Sequence, residues 1–232
     1  MARGSLTQSG RKQQSAKKTG KRGRGSNGGN REREIIDAAV EIFHAKGYAA
    51  TSVDDVANVV GILKGSLYYY MDSKEDLLLR IVEEVHEEVE ELMIAAVADK
   101  ERPPLERIGD YVRALVDYNA RNAKRVRVYY HDYDQLSEER LASVRKRRRA
   151  NEQTIIGVLK EAKKAGEIPA KMNERLAAKT LFATIIWTYT WFKPGGAVSG
   201  KELGEFCAEF VLNGLRGPAG APAKAPKRKK RS

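Results

Sequence analysis

The chain has 232 residues, 41% hydrophobic and 32% charged, with a formal net charge of +12; that length fits one medium domain or a small domain joined to a larger one. No apolar run of about 18 residues occurs, which argues against a membrane-spanning helix or a membrane partner. A single cysteine, Cys207, excludes an intrachain disulfide framework and a cysteine-built zinc site.

The charge is uneven. Residues 1–33 carry ten Lys or Arg and one acid, and residues 216–232 carry seven bases and no acid, which leaves −4 on the stretch between them. Residues 1–30 and 216–232 therefore read as disordered basic tails, with too few aliphatic side chains to offset their ordering entropy. Such tails are drawn to nucleic acid without reading sequence; equally, they suit a solubilising extension. The basic start has no apolar segment behind it, so it is not read as a secretory signal, and the expected compartment is the cytoplasm, at the bacterial nucleoid. Gly23-Arg24-Gly25-Ser26-Asn27-Gly28 matches G-x-G-x-x-G, but no strand precedes it, and a dinucleotide site needs one.

Between the tails the apolar spacing is helical. Residues 31–46 place Ile35, Ile36, Ala39, Ile42 and Phe43 on one face, ending at Gly47. Thr51 or Ser52 caps a helix through Val60, with Asp54 and Asp55 in its first turn, and Gly61 ends it. Residues 63–70 form a second short helix carrying Tyr68, Tyr69 and Tyr70. Ser73 caps a long helix with the stripe Leu77, Ile81, Val85, Val89, Leu92 and Ala96. Further helices are predicted over 104–121, 123–134 (helical or broken), 137–165, 173 through Trp187 and Trp191, and 199–215. No segment alternates with period two, so the chain is expected to be all-α.

Residues 52–71 have the layout of a helix-turn-helix, whose second helix enters the major groove. That helix offers Lys64 for a guanine edge or a phosphate, Ser66 for either, and two or three tyrosines. Gly65 lets the backbone approach closely, and Leu67 faces the small domain's own core.

Gly47-Tyr48, Thr51 through Ala57, Gly61 through Met71, and Ser73 through Leu77 together resemble the DNA-binding domain of TetR-family transcriptional regulators, over about residues 31–80. Leu63 stands where that family usually has Ser or Thr, and Met71 where it has an aromatic. The resemblance implies a helix-turn-helix domain at 31–77 and a helical ligand-binding and dimerisation domain at 78–215. It implies that Thr51, with Ser52 second, meets phosphate, that Lys64, Gly65, Ser66 and Tyr68 face the groove, and that Tyr69 and Lys74 contact the backbone.

Val128 through Asp132, Leu136-Ser137, Arg147 through Arg149, Ala165-Gly166-Glu167 and Trp187 through Gly196 resemble the branch that includes repressors of steroid and fatty-acid breakdown, which sense acyl-CoA thioesters. Trp187 and Trp191 lie four apart, with Phe182 and Phe192 nearby, and are expected to wall an apolar pocket with Tyr129, Tyr130 and His131 as polar groups; ordinary helix-packing core is the alternative. Arg145 through Arg149 suit the phosphates of CoA, with Arg148 or a neighbour as the contact; a solvated stripe is the alternative. The last two helices are expected to form a four-helix seam with their copies, with Leu212 on the outward side.

The expected function is thus a homodimeric regulator, a repressor, that binds a palindromic double-stranded DNA operator and is released by a small-molecule effector such as an acyl-CoA. No cofactor, metal or catalytic residue is expected, since no P-loop, G-x-S-x-G or H-E-x-x-H occurs. The rivals are a nonspecific DNA-compacting protein acting through its tails and a helical enzyme acting on CoA thioesters.

Overall fold

A computed structural model of the protein describes residues 26–217, and every regular element among them is a helix. Residues 1–25 and 218–232, which hold most of both basic tails, lie outside the described residues.

Helix α1 (Ser26–Lys46) begins five residues before the expected start and stops at Gly47, whose φ of 83° suits a residue without a Cβ. Helix α2 (Val53–Val60) is held by a reciprocal cap: the Asp55 N–H donates to Ser52 Oγ at 3.1 Å, and the Ser52 N–H donates to the Asp55 carboxylate at 2.8 Å. That bonding holds the Asp55 carboxyl down at about 2. Helix α3 (Lys64–Leu67) is shorter than the sequence suggests. Past it, the Tyr69 and Tyr70 N–H groups donate to the carbonyls of Ser66 and Leu67, three residues back, which tightens the chain into a turn. Leu67, Val56, Ala57 and Phe43 fill the space between these three helices.

Helix α4 (Lys74–Val97), capped by Ser73, runs out of this small unit without a break and buries Leu77, Leu78, Ile81, Val82, Val85, His86, Met93 and Val97. The expected boundary at 77/78 therefore falls inside one continuous helix. Helices α5 (Pro104–Arg121), α6 (Ala123–Asp132), α7 (Glu138–Ala165), α8 (Glu174–Ile186), α9 (Thr188–Trp191) and α10 (Gly200–Arg216) complete the larger bundle, with a 3-10 turn at Tyr133–Gln135. The helix expected to run unbroken from 173 through Trp191 breaks at Trp187. There the Thr188 hydroxyl donates to the Ile185 carbonyl at 2.6 Å and the Thr190 hydroxyl to the Trp187 carbonyl at 2.7 Å, in competition with the helical pattern.

Helix α10 lies along α5. A Cβ on Gly204 would sit 3.1 Å from the Arg113 carbonyl oxygen, so glycine sets how closely the two helices approach. Opposite, Gly109 leaves a notch that Leu212 fills. Leu212, expected to face outward, is consequently buried.

One lysine ties the small domain together. Lys74 Nζ donates to the carbonyl oxygens of Tyr48 at 2.9 Å, Thr51 at 2.8 Å and Ala49 at 3.4 Å, and lies 4.3 Å from the centre of the Tyr48 ring. These carbonyls belong to the connection between α1 and α2, which has no ladder of its own to satisfy them. Lys74→Met should lower unfolding stability in urea by roughly 1–3 kcal/mol and leave the salt dependence of DNA binding unchanged. A slope shallower by about one phosphate contact would place this amine on DNA instead.

Candidate nucleic-acid interface and ligand cavity

The outer face of α3 and its flanks is unusually bare. Leu63 is 80% exposed, Tyr69 84% and Tyr68 43%, while Lys64, Gly65 and Ser66 are also exposed. Nothing lies within 4 Å of where a Gly65 Cβ would stand. On the other side, Leu67 is fully buried, so the helix has one face in the core and one free. Lys64 Nζ bonds the Asp54 carboxylate of α2 at 2.6 Å, and this partner raises the amine above its ordinary pKa. The face therefore presents an exposed ion pair, Lys64 with Asp54, beside two phenols and a hydroxyl, groups that can meet phosphates and base edges.

Five residues expected on DNA thus share one surface: Lys64, Gly65, Ser66, Tyr68 and Tyr69. Ser52 is exposed nearby at the start of α2, with its hydroxyl in the cap. Two others are turned inward. Thr51 is buried and its hydroxyl donates to the Gly47 carbonyl at 2.8 Å. Lys74 is committed to the three carbonyls described above. Both side-chain donors are therefore occupied within the chain.

In the larger domain a cavity of about 460 Å³ opens between α4, α5, α6, α7 and α8. Its inner wall is apolar and aromatic: Val85 and Val89 of α4, Tyr111 of α5, Tyr129 and Tyr130 of α6, and Phe182 of α8. Tyr129 and Tyr130 meet edge to face at 4.6 Å, and Tyr111 meets Phe182 at 6.3 Å. Burial pushes the Tyr129 hydroxyl up to about 12 and that of Tyr130 well above its ordinary value, so both phenols stay neutral. Arg145, Arg148 and Arg149 of α7 and Lys179 of α8 border the same space. Arg148 is half-buried, its guanidinium 4.9 Å from the Tyr133 ring centre, whereas Arg145, Arg149 and Lys179 are exposed. Apolar surface inside and guanidinium groups toward water make a site for an amphipathic anion.

Tyr129, Tyr130 and Arg148, expected at a ligand site, line this cavity; Trp187, Trp191 and His131 do not. Trp187, which follows the last residue of α8, is 65% exposed, and Trp191, the last residue of α9, is 56% exposed. His131 is exposed and its Nδ1 lies 3.0 Å from the Asp132 carboxylate, in a separate cleft beside the end of α1. The residue that sequence reasoning passed over is His86. It is buried on the cavity wall, its Nε2 3.0 Å from the Tyr129 hydroxyl. Its spacing of four from Val82 and eight from Leu78 was the available signal, since all three share one helix face.

Two family models match the chain: bacterial regulatory proteins of the tetR family over residues 35–81, and the tetracyclin repressor-like C-terminal domain over residues 101–215. The HTH-type transcriptional repressor KstR2 of Rhodococcus jostii is 28% identical over 195 residues, which cover 81% of this chain and 92% of that protein. A transcriptional regulator of the TetR/AcrR family from Thermobifida fusca has a solved structure that is 35% identical, with a TM-score of 0.64, covering 80% of this chain and 98% of that one. AibR, solved in complex with isovaleryl coenzyme A and operator DNA, is 25% identical with a TM-score of 0.71, covering 81% of this chain and 99% of that one.

Burial of His86 should make the larger domain sensitive to acid. Burial, with Arg147 and Arg148 nearby, lowers its pKa to about 4, so the folded protein holds it neutral. The unfolded chain takes up a proton near pH 6.5. Between those values the unfolded state binds more protons, and stability contributed by neutral His86 falls as pH falls from about 6.5 to about 4. His86→Gln should flatten that part of the profile, measured as urea unfolding free energy at pH 7 and pH 5. An unchanged loss in the variant would assign the acid sensitivity elsewhere.

Proposed function

The chain belongs to the TetR family of bacterial regulatory proteins, a DNA-binding transcriptional regulator rather than an enzyme, and on that premise we propose that it is a homodimeric repressor released from its operator by an acyl-CoA thioester. The observation that carries the effector class is the division of the cavity. Buried aromatics line its depth, and Arg145, Arg148 and Arg149 stand along its border on one helix. The acyl group belongs against Tyr130 and Phe182, and the phosphates of CoA belong with the arginines. Support comes from AibR, which binds isovaleryl coenzyme A in its solved structure, and from a volume within the ~300–1,000 Å³ usual for ligand pockets.

The route from cavity to DNA runs through shared helices. Helix α4 starts at the small domain and carries Val85, His86 and Val89 to the cavity. Helix α7, which carries the arginines, is anchored at the first turn of α4: the Ser137 N–H donates to Glu75 at 2.7 Å, and Arg140 pairs with Asp76. Helix α6 carries Tyr129 and Tyr130 and bonds α1 through Lys124–Glu41 at 2.6 Å and Arg125–Asp37 at 3.4 Å. A ligand that favours one spacing of these helices changes the position of α3, and it acts only through that difference in affinity.

Exposed apolar residues on the last helices support self-association. Leu176 of α8 is 61% exposed, Phe206 of α10 66% and Phe210 63%, and a groove between α8 and α10 joins Leu176 to Phe210. A two-fold seam here would set two α3 helices in successive major grooves, about 34 Å apart on a palindrome. Compaction of DNA through the tails, the rival reading, gains nothing from the matches over residues 35–81 and 101–215. Competition with random DNA at physiological salt separates the two, since a regulator keeps a large specificity ratio.

Titration of the operator complex with an acyl-CoA, the matching free acid and CoA alone should release DNA with the thioester only. Equal release by the free acid would remove the arginines from the account, and release by another ligand class alone would refute the effector assignment. Phe210→Asp should give monomers at micromolar concentration in sedimentation, with operator affinity lost alongside. A monomeric wild-type protein under the same conditions would sink the dimer.

A further inference from the structure

Leu63 does the fold little service through its side chain, although its carbonyl accepts from the Ser66 and Leu67 N–H groups. It is the N-cap of α3, and no side-chain bond reaches the orphan N–H groups of that helix. Ser, Thr, Asn or Asp there would accept such a bond, and a large aliphatic cannot. The side chain is also 80% exposed, so it gains little from burial within the monomer. Its neighbours on the same bare surface are Lys64, Gly65 and Ser66, with Tyr69 beyond them. An apolar side chain amid groups suited to DNA calls for an apolar feature on the DNA. In the major groove that feature is the 5-methyl group of thymine, since the other marks on base edges are hydrogen-bond donors and acceptors. Gly65, with open space where a Cβ would stand, lets this end of α3 sink toward the base edges.

We propose that Leu63 is a specificity-determining residue that packs on the methyl group of one thymine in each operator half-site, beside the base or phosphate met by Lys64. The inference rests on α3 being the helix that reads the groove. Leucine at the cap thus trades helix stability for base discrimination.

The test uses the full chain and a duplex recovered from a random pool by repeated selection. Each thymine in turn is replaced by deoxyuridine, which removes the methyl group and keeps every hydrogen-bonding group of the base. The wild type should lose roughly 4-fold in affinity, the worth of one buried methyl, at one position per half-site. Leu63→Ser should bind the unmodified duplex more weakly by a similar factor and be indifferent to uridine at that position. The same variant should melt higher than the wild type, because serine restores the cap, so weaker binding would not arise from unfolding. Insensitivity of the wild type to uridine everywhere, or equal sensitivity in Leu63→Ser, would overturn the proposal. Lys64→Ala tells the two levels apart. If it weakens binding while uridine has no effect, only the leucine contact falls; if it too binds as the wild type does, the placement of α3 in the groove falls with it.

Discussion

The guanidinium of Arg125 sits where three helices meet. It lies 3.2 Å from Glu88 and 3.5 Å from Glu84 on α4, and 3.4 Å from Asp37 on α1, while its own helix, α6, carries Tyr129 and Tyr130 on the cavity. The side chain is only 10% exposed. A guanidinium withdrawn from water to that degree is costly unless its charge and donors are matched, and stripping partners from a buried ion costs about 3–5 kcal/mol. The spacing of α1, α4 and α6 is therefore constrained together. Arg33 extends the cluster from α1 to Glu84 at 3.7 Å. Glu84 and Glu88 on α4 are the counter-charge to this joint.

Much else follows from that joint. The small domain can bury Leu67, Val56 and Phe43 around its own three helices, yet its attitude toward the larger domain depends on α1 meeting α4 and α6. The cavity is lined by the neighbours of Glu84, Glu88 and Arg125, Val85, His86 and Val89 on α4 and Tyr129 and Tyr130 on α6, so a molecule that parts α6 from α4 works against the ion cluster. Lys74 plays the complementary role within the small domain. It ties the start of α4 to the connection after α1, so movement of α4 carries α2 and α3 with it as a unit.

What was legible in the sequence was local. The Ser52 and Asp55 pair, Gly61 and the Ser73 cap announce helix ends within three or four residues, and the helical periods placed Leu67 in the core correctly. The outer face of α3 could be read because buried Leu67 leaves the opposite side free. What could not be read depended on distant partners. Leu212 is buried because Gly109, far off in the chain, leaves room for it. The Lys74 amine bonds carbonyls 23 and 26 residues back in the chain, which no local pattern places beside it. Trp187 and Trp191 share a face only if the helix is continuous, and it is interrupted between Ile186 and Thr188. His86 stood in plain view on a helix stripe, but a histidine's partner, here Tyr129, is set by tertiary packing alone.

On the proposed function, occupancy of the cavity reaches DNA through the Arg125 joint. Arg125→Lys keeps the charge but loses the planar fork that spans α1 and α4. The measurement is operator affinity with and without a saturating acyl-CoA, whose ratio gives the coupling free energy. Operator affinity should stay near wild type without the thioester and fall much less with it. A variant that binds the thioester and releases DNA as fully as the wild type would contradict that route.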